Sequence, residues 1–292
     1  MAMKKQEEYH KKEQLDWTEI DRFGSRLTTE WEESKEAIWL RMEQKLTAPA
    51  RPAKVIFFAR PAFRLAVAAL VVLLVGLGSV MRFHSRTYHT IPGQHLAIAL
   101  PDGSTVQLNA ASVLTFRPYW WRFSRELALE GEAYFQVSKG DRFTVISSNG
   151  TTTVLGTSFN IYARDEAYRV SCLTGTVKVT NARGNQDVIL SANQKAEWQS
   201  SAFVRADMKA NHEPAWVNKQ FEFTGRPIRE VFDEIERQYG IRIISDQSLN
   251  FEYSGNFNKE ESVHQVLTYI CKPFNLNFEE KKTGQYQVLK NQ

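Results

Sequence analysis

Residues 64–83 read RLAVAALVVLLVGLGSVMRF, and this stretch decides how the rest of the chain can be arranged. Its central seventeen residues, Leu65 to Met81, carry no charge, and an arginine stands on either side of them. A helix of that length spans about 25 Å, close to the hydrocarbon thickness of a bilayer. A core helix of a soluble domain seldom lacks polar side chains for so long, and a cleaved signal peptide does not follow so long a charged segment. The sequence therefore predicts one transmembrane helix over residues 62–83.

The charges that flank this span predict its orientation. Five basic residues stand on its N-terminal side, namely Lys45, Arg51, Lys54, Arg60 and Arg64. The corresponding window on the C-terminal side holds only Arg82 and Arg86. Because basic residues are retained on the cytoplasmic side of a membrane, residues 1–60 are predicted to be cytoplasmic and the residues after the span periplasmic. The predicted location is a bacterial inner membrane, crossed once.

The cytoplasmic segment, residues 1–60, contains one strongly amphipathic stretch. Residues 28–46, TTEWEESKEAIWLRMEQKL, predict a helix that Thr28 or Thr29 can cap. Its apolar side chains recur at helical spacing and share one face. These side chains are Trp31, Ile38, Trp39, Met42 and Leu46. So small a segment cannot bury much core, and Trp is enriched at binding hot spots, so the face is predicted to bind a partner. Packing in a small helical hairpin is a compatible alternative.

The remainder of the chain divides into two patterns. From about Tyr88, short alternating runs with turn signals every eight to twelve residues predict an all-β domain over residues 86–205. Such strands fit either a sandwich or a solenoid-like stack, and their spacing does not choose between the two. Residues 221–244, FEFTGRPIREVFDEIERQYGIRII, instead predict strand, helix and strand, with Gly240 ending the helix. A similar pattern follows, so residues 217–290 are predicted to form an α+β module of two βαβ-like units.

Several of these segments resemble a known family. LPDGSTVQLNAASVLTF, LALEGEAYFQV and VLGTSFNIYA resemble the FecR family of anti-sigma factors and sigma regulators. The stretch FEFTGRPIREVFDEIERQYGIRI looks like the short secretin/TonB N-terminal module that closes many such proteins. ESKEAIWLRMEQKL resembles the helix that precedes the membrane span in Bacteroidetes members. The resemblance runs from about residue 30 to the C-terminus in the order of the family.

The resemblance implies a signal relay across the envelope. In such families the cytoplasmic segment holds an extracytoplasmic-function (ECF) sigma factor, and the periplasmic part senses an outer-membrane TonB-dependent transducer through its signalling domain. Periplasmic and intramembrane proteases then cut the regulator and free the sigma factor. Family analogy also implies a solenoid-like β region. The first thirty residues do not match the usual helical anti-sigma domain, which leaves inhibitor and activator roles both open.

Two contact surfaces are predicted for this relay. The apolar face of the cytoplasmic helix, defined above by Trp31, Ile38, Trp39, Met42 and Leu46, is predicted to contact the sigma factor. The transducer contact is predicted in the C-terminal module, because an exposed strand edge there can accept another strand. The candidate edges are 241–244 and 251–257. The candidate contact residues are Ile241, Ile243, Phe251 and Tyr253.

Other functional classes find little support in the sequence. No common hydrolase, nucleotide-binding or CxxC motif is present, so neither enzymatic activity nor a cofactor is predicted. His84, His89 and His95 are close in sequence, but their spacing fits no regular metal-ligand face, and no metal is predicted. Lys plus Arg number 37 against 33 Asp plus Glu, which is too even for direct nucleic-acid binding.

The alternative function is a membrane-tethered periplasmic binding module or envelope scaffold without a transcriptional role. For that function, residues 118–123, PYWWRF, would supply an exposed docking patch or a platform on which sugars stack. A loop whose aromatic side chains cover the β core is the slightly favoured interpretation. The cytoplasmic helix discriminates between the two functions, since a simple tether needs no tryptophan-bearing face inside the cell.

Overall fold

The structure is a computed structural model of the chain, and it describes residues 21–22, 24–25, 33–47, 61–209, 213–246 and 248–290. The chain divides into two units, residues 1–67 and residues 68–292. The boundary falls inside the long apolar helix, and the segments before and after it are described separately.

Helix α1 (Lys35–Thr47) is the described part of the predicted cytoplasmic helix. It begins later than the predicted start at Thr28, because Glu33 and Ser34 are not helical. The Ser34 hydroxyl oxygen accepts a hydrogen bond from the Ala37 N–H at 3.3 Å, as an N-cap does. The nearby serine therefore caps this helix, rather than either threonine, and residues 28–32 lie outside the described residues.

Helix α2 (Pro61–Phe83) occupies the predicted span. Its mean hydropathy reaches 2.3, and no part of that apolar window is buried. Among the described residues it is the only helix long and apolar enough to cross a membrane. A helix apolar on every side is unfavourable in water, so it needs an apolar environment such as a bilayer. The helix fits a single-pass membrane protein.

Thirteen strands follow α2 and form the β domain. They are β1 (Arg86–Thr90), β2 (Leu96–Ala99), β3 (Thr105–Leu108), β4 (Ser112–Phe116), β5 (Arg125–Gln136), β6 (Phe143–Ile146), β7 (Gly150–Val154), β8 (Ser158–Arg164), β9 (Ala167–Thr174), β10 (Thr176–Asn181), β11 (Asp187–Ser191), β12 (Gln194–Gln199) and β13 (Ala202–Asp207).

The strands make two sheets that share the long strand β5. One sheet runs β1-β4-β5-β6-β7-β10-β11 and the other β2-β3-β5-β8-β9-β12-β13. Of the strand pairs described in this domain, only β5 with β6 is parallel. Side chains from both sheets, such as Phe135, Phe143 and Phe159, form one core. This largely antiparallel arrangement around a single core favours the sandwich over the solenoid, which stacks parallel coils.

Strand β5 changes sheets at Gly131. Residues before it pair with β4 and residues after it with β3 and β8. Gly131 has φ +109°, and a Cβ there would lie 2.4 Å from the Ser112 Oγ. Only glycine tolerates both the backbone angle and the close approach of β4, so this residue allows one strand to serve two sheets.

The C-terminal module contains two helices and five strands. They are β14 (Gln220–Pro227), α3 (Ile228–Tyr239), β15 (Arg242–Ser245), β16 (Glu252–Asn258), α4 (Val263–Cys271), β17 (Leu276–Lys282) and β18 (Gln285–Lys290). Gly240 ends α3 in the left-handed conformation with φ +66°, as the sequence predicts. A capping box of Ser262 and Gln265 begins α4. The apolar faces of both helices pack into the module's own core.

The strand pairing of this module differs from the predicted pair of βαβ-like units. In a βαβ unit the strands on either side of the helix lie parallel in one sheet. Here β14 pairs with β16, antiparallel, whereas β15 pairs with β18, parallel. Strands that flank the same helix therefore lie in different sheets, and the two halves interlock. Sequence periodicity predicts strands and helices but not their partners, which is why the pairing was not foreseen.

Candidate functional site

The structure places the described residues of the predicted sigma-factor contact on one helix. Trp39, Met42 and Leu46 of α1 are 70%, 53% and 85% exposed, and Ile38 is partly exposed beside them. Their spacing keeps them on one side of the helix. Trp31, the fifth predicted residue, lies outside the described residues. The helix thus presents an apolar face, referred to below as the α1 face (Ile38, Trp39, Met42 and Leu46).

The predicted transducer-contact side chains lie elsewhere than expected. Ile243 and Tyr253 are buried, and Ile241 and Phe251 pack against the same core of the C-terminal module. Their side chains therefore stabilise the module and are not presented at its surface. The strands at these positions agree better with the prediction of an open strand edge. In the described part of the chain, β15 pairs only with β18 and β16 only with β14, so each has one edge without a partner strand. A partner strand at either edge would meet backbone groups.

The sequence did not predict the polar contact between the β domain and helix α3, which we term the seam. At its centre Gln238 is only 2% exposed. Its amide nitrogen donates to the Asn109 Oδ1 at 2.7 Å and to the Glu234 Oε1 at 2.8 Å. Its amide oxygen accepts from the Lys259 Nζ at 3.0 Å and lies 2.9 Å from the His95 Nε2. Gln238 therefore bonds both to the β domain and to its own module.

Behind Asn109 the seam contains a buried carboxylate, that of Glu132. Its two oxygens accept from the side-chain amides of Asn109 and Asn160, each at 2.8 Å. Burial raises the pKa of Glu132, the negative charge of Glu234 raises it further, and Arg164 partly offsets both. A buried carboxylate with raised pKa keeps its charge only while its hydrogen-bond donors stay in place. Both donors belong to the β domain, and Asn109 also accepts from Gln238, so the network connects the buried carboxylate to the C-terminal module.

A second part of the seam is a cluster of ion pairs. Arg169 on β9 donates to Glu230 on α3 at 2.9 Å and lies 3.6 Å from Glu197. Arg226 of the C-terminal module donates to Glu197 of the β domain at 3.0 Å. The Arg169 guanidinium also sits 4.0 Å from the ring centre of Tyr162. Arginine is suited to such partly buried, stacked and shared pairs.

The domains are joined by other contacts as well. The Gly93 N–H of the β domain donates to the Arg237 carbonyl of α3 at 2.7 Å. In the connecting segment, Trp216 is buried against Tyr134 and Leu173 of the β domain. Among the described residues, the contacts across the seam are thus mainly polar and charged, and Trp216 with its neighbour Val217 supplies the apolar part.

An open cavity of about 640 Å³ lies beside the seam and is lined by both domains. Its β-domain wall includes Lys195 and Ala206, and its other wall includes Phe223 and Thr224. The ion pairs of the seam border it. The described residues of the two domains thus meet along only part of their facing surfaces.

The three histidines considered above do not come together. His84 lies beside Tyr119, with 5.1 Å between ring centres, whereas His95 lies in the seam against Trp216 at 5.4 Å. Burial lowers the pKa of His95, and its hydrogen bond to Gln238 partly offsets this. Among the described residues, no group of three or more His, Cys, Asp or Glu is arranged to hold a metal ion.

Both domains match models of known protein families. A family model described as FecR protein matches residues 86–178, and one described as FecR, C-terminal matches residues 220–287. The chain belongs to the FecR family. Its C-terminal module thus corresponds to the family's own C-terminal domain, and the family is a regulatory, non-enzymatic class of sigma regulators.

Solved structures of similar fold agree with this assignment. A candidate anti-sigma factor from Parabacteroides distasonis ATCC 8503, solved at 1.65 Å, is 26% identical with a TM-score of 0.66, and the match covers 71% of this chain and 100% of that one. A structure of the same description at 2.50 Å is 25% identical with a TM-score of 0.67, covering 72% of this chain and 100% of the other. Among curated proteins, no significant sequence match was found.

Proposed function

We propose that this FecR-family protein is a single-pass inner-membrane anti-sigma factor or sigma regulator. It relays a signal from an outer-membrane TonB-dependent transducer to a cytoplasmic ECF sigma factor. The observation that carries the proposal is the order of parts along one chain: an exposed apolar helix face, then a helix able to cross a membrane, then the two FecR domains. This order suits transfer of a message between two compartments, with the α1 face as its cytoplasmic end.

At the periplasmic end, the proposal assigns the transducer contact to an outer strand of the C-terminal module. Strand β15 is the better candidate, because the Ile243 N–H already donates to the Glu236 carboxylate on α3. An added strand that takes this N–H displaces Glu236 and so acts directly on the helix that forms the seam. Regulated proteolysis by periplasmic and intramembrane proteases then follows as the releasing step, and a loosened seam is the change that exposes the chain to the first protease.

Binding of the full-length chain in nanodiscs to the ECF sigma factor encoded nearest its gene tests the cytoplasmic end. Trp39→Ala with Met42→Ala is expected to weaken binding about 30-fold or more, because a tryptophan hot spot contributes at least about 2 kcal/mol. Leu40→Ala is the matched control, since Leu40 is 62% exposed but lies on the opposite side of α1. Equal affinity of the double variant and wild type would remove the α1 face from the role. Absence of any sigma-factor binding would favour the scaffold alternative.

A further inference from the structure

The short loop between β4 and β5 carries a second apolar surface, on the β domain. We term it the aromatic loop, residues 117–124, with the sequence RPYWWRFS. Trp121 points inward and is buried against Phe116 and Phe143 at ring-centre distances of 5.5 and 5.9 Å. With Trp121 held in the core, Tyr119 and Phe123 project outward and are 51% and 71% exposed. Trp120 is partly exposed and packs against Phe123, with 4.6 Å between ring centres.

The aromatic loop lies at the end of the apolar helix α2. The Arg82 guanidinium stands 5.4 Å from the Trp120 ring centre, and the His84 ring lies 5.1 Å from that of Tyr119. Phe83, the last residue of α2, is 74% exposed beside them. These contacts hold the loop at the C-terminal end of α2, which is the level of the lipid headgroups when α2 spans a membrane.

The chemistry of the loop matches that position. Tryptophan and tyrosine favour the boundary between lipid and water, because their rings are apolar and their N–H and O–H groups are polar. Arg117 precedes the aromatic residues, Arg122 lies between Trp121 and Phe123, and the loop contains no acidic residue. Basic side chains at this level attract anionic headgroups. The lipid around α2 is therefore the apolar environment available to the exposed side chains of Phe123 and Tyr119.

We propose that the aromatic loop docks on the periplasmic surface of the membrane that α2 crosses, with Tyr119, Trp120 and Phe123 in the headgroup region. The β domain is then seated on the bilayer and does not swing freely from the end of the span. The proposal rests on α2 crossing the membrane, as the proposed function requires. It adds a second membrane contact that fixes the orientation of the β domain.

Site-directed labelling of the full-length chain in nanodiscs of neutral and anionic lipid tests this docking. The two native thiols, Cys172 and Cys271, are buried, so an introduced cysteine takes the label alone. A fluorophore at Phe123→Cys is expected to be quenched at least about 3-fold more by headgroup-proximal nitroxide lipid than the same fluorophore at Ile189→Cys. Ile189 is a matched control, being 58% exposed on β11, four strands from β5. Leu73→Cys, near the middle of α2, serves as the positive control and is read with a nitroxide carried deep on the lipid acyl chain, because the headgroups lie about 15 Å from that position.

The outcomes separate the two proposals. Quenching at position 73 with equal, low quenching at positions 123 and 189 would overturn the docking and leave the span intact. Absence of quenching at position 73 would overturn both the docking and the proposed membrane crossing.

A second measurement avoids placing the label in the loop and uses a fluorophore at Val204→Cys. The double variant Tyr119→Ser plus Phe123→Ser is expected to lower the residual anisotropy of this fluorophore about 2-fold, whereas Ile189→Ser leaves it unchanged. Unchanged anisotropy in the double variant would also refute the docking, since the seated domain would not need these side chains.

Discussion

Replacement of Gln238 by leucine is the sharpest test of the seam. The side chains are of similar size, so the substitution removes hydrogen bonds without leaving a large cavity. Two of the four bonds cross to the β domain, those with Asn109 at 2.7 Å and His95 at 2.9 Å, and the other two stay inside the C-terminal module. At about 1–1.5 kcal/mol for each bond that crosses, the seam is expected to lose about 2–3 kcal/mol. The equilibrium constant for opening then rises about 30- to 150-fold.

The Gly93 amide supplies the assay, because its N–H crosses the seam to the Arg237 carbonyl. Hydrogen exchange of a peptide containing Gly93, measured by mass spectrometry on the full-length chain in nanodiscs, is expected to accelerate by that factor in Gln238→Leu. Amides of β9 and α4, which lie within single domains, report whether either domain has unfolded. Gln186→Leu is the matched control, since Gln186 is exposed in the turn between β10 and β11. Exchange of Gly93 within about 3-fold of wild type, with both domains folded, would refute the assignment of Gln238 as the residue that holds the seam.

Three further predictions follow from the β domain and from the buried groups. Gly131→Ala is expected to lower the free energy of unfolding, measured in urea, by about 2–5 kcal/mol. Gly184→Ala is the control, because Gly184 has φ +69° but lies in open space, and it is expected to cost about 1 kcal/mol. Similar losses at both positions would contradict the close approach of Ser112. The raised pKa of Glu132 means that its ionisation opposes folding once the pH rises above its unfolded value near 4.5. Wild type is therefore expected to lose stability relative to Glu132→Gln as the pH rises above that value, and a pH-independent difference would argue against a buried carboxylate. Burial raises the pKa of Cys172 to about 11 and that of Cys271 to about 12. Neither thiol is therefore expected to react with maleimide at pH 7 until the chain is unfolded. Rapid labelling of the folded chain would show that the thiols are accessible.

Local sequence patterns predict the parts of this protein that depend on neighbouring residues. The uncharged run over α2, the apolar stripe of α3 and the left-handed end at Gly240 all arise from interactions within one helix, and each occurs where the sequence indicates. The sharing of β5 between two sheets arises from contacts distant in sequence, and periodicity carries no information about those partners. Gly131 was a signal, because an isolated glycine within a strand marks a close backbone approach.

The seam was missed for a related reason. Side chains alternate along β5, so Glu132 lies on the side opposite Leu127 and Leu129. Because those leucines are apolar, the sequence predicts that the side carrying Glu132 faces solvent. That side is buried because α3 covers it. Gln238 carried a detectable signal: it follows Ile235 by three residues and so falls on the apolar stripe of α3, where a polar residue needs a buried partner. The partner, Asn109, stands 129 residues earlier and has no signature of its own.

The contrast between the polar seam and the single buried Trp216 bears on how the proposed relay operates. Charged and amide hydrogen bonds at a domain contact exchange for water at low net free energy, so the seam opens without exposing a large apolar surface. Trp216 is different, because releasing it from Tyr134 and Leu173 exposes aromatic and aliphatic surface to water. The connecting segment is therefore expected to stay attached while α3 leaves the β domain. Under the proposed function, a transducer strand that displaces Glu236 turns the C-terminal module about Trp216 rather than detaching it, and the seam closes again when the strand leaves.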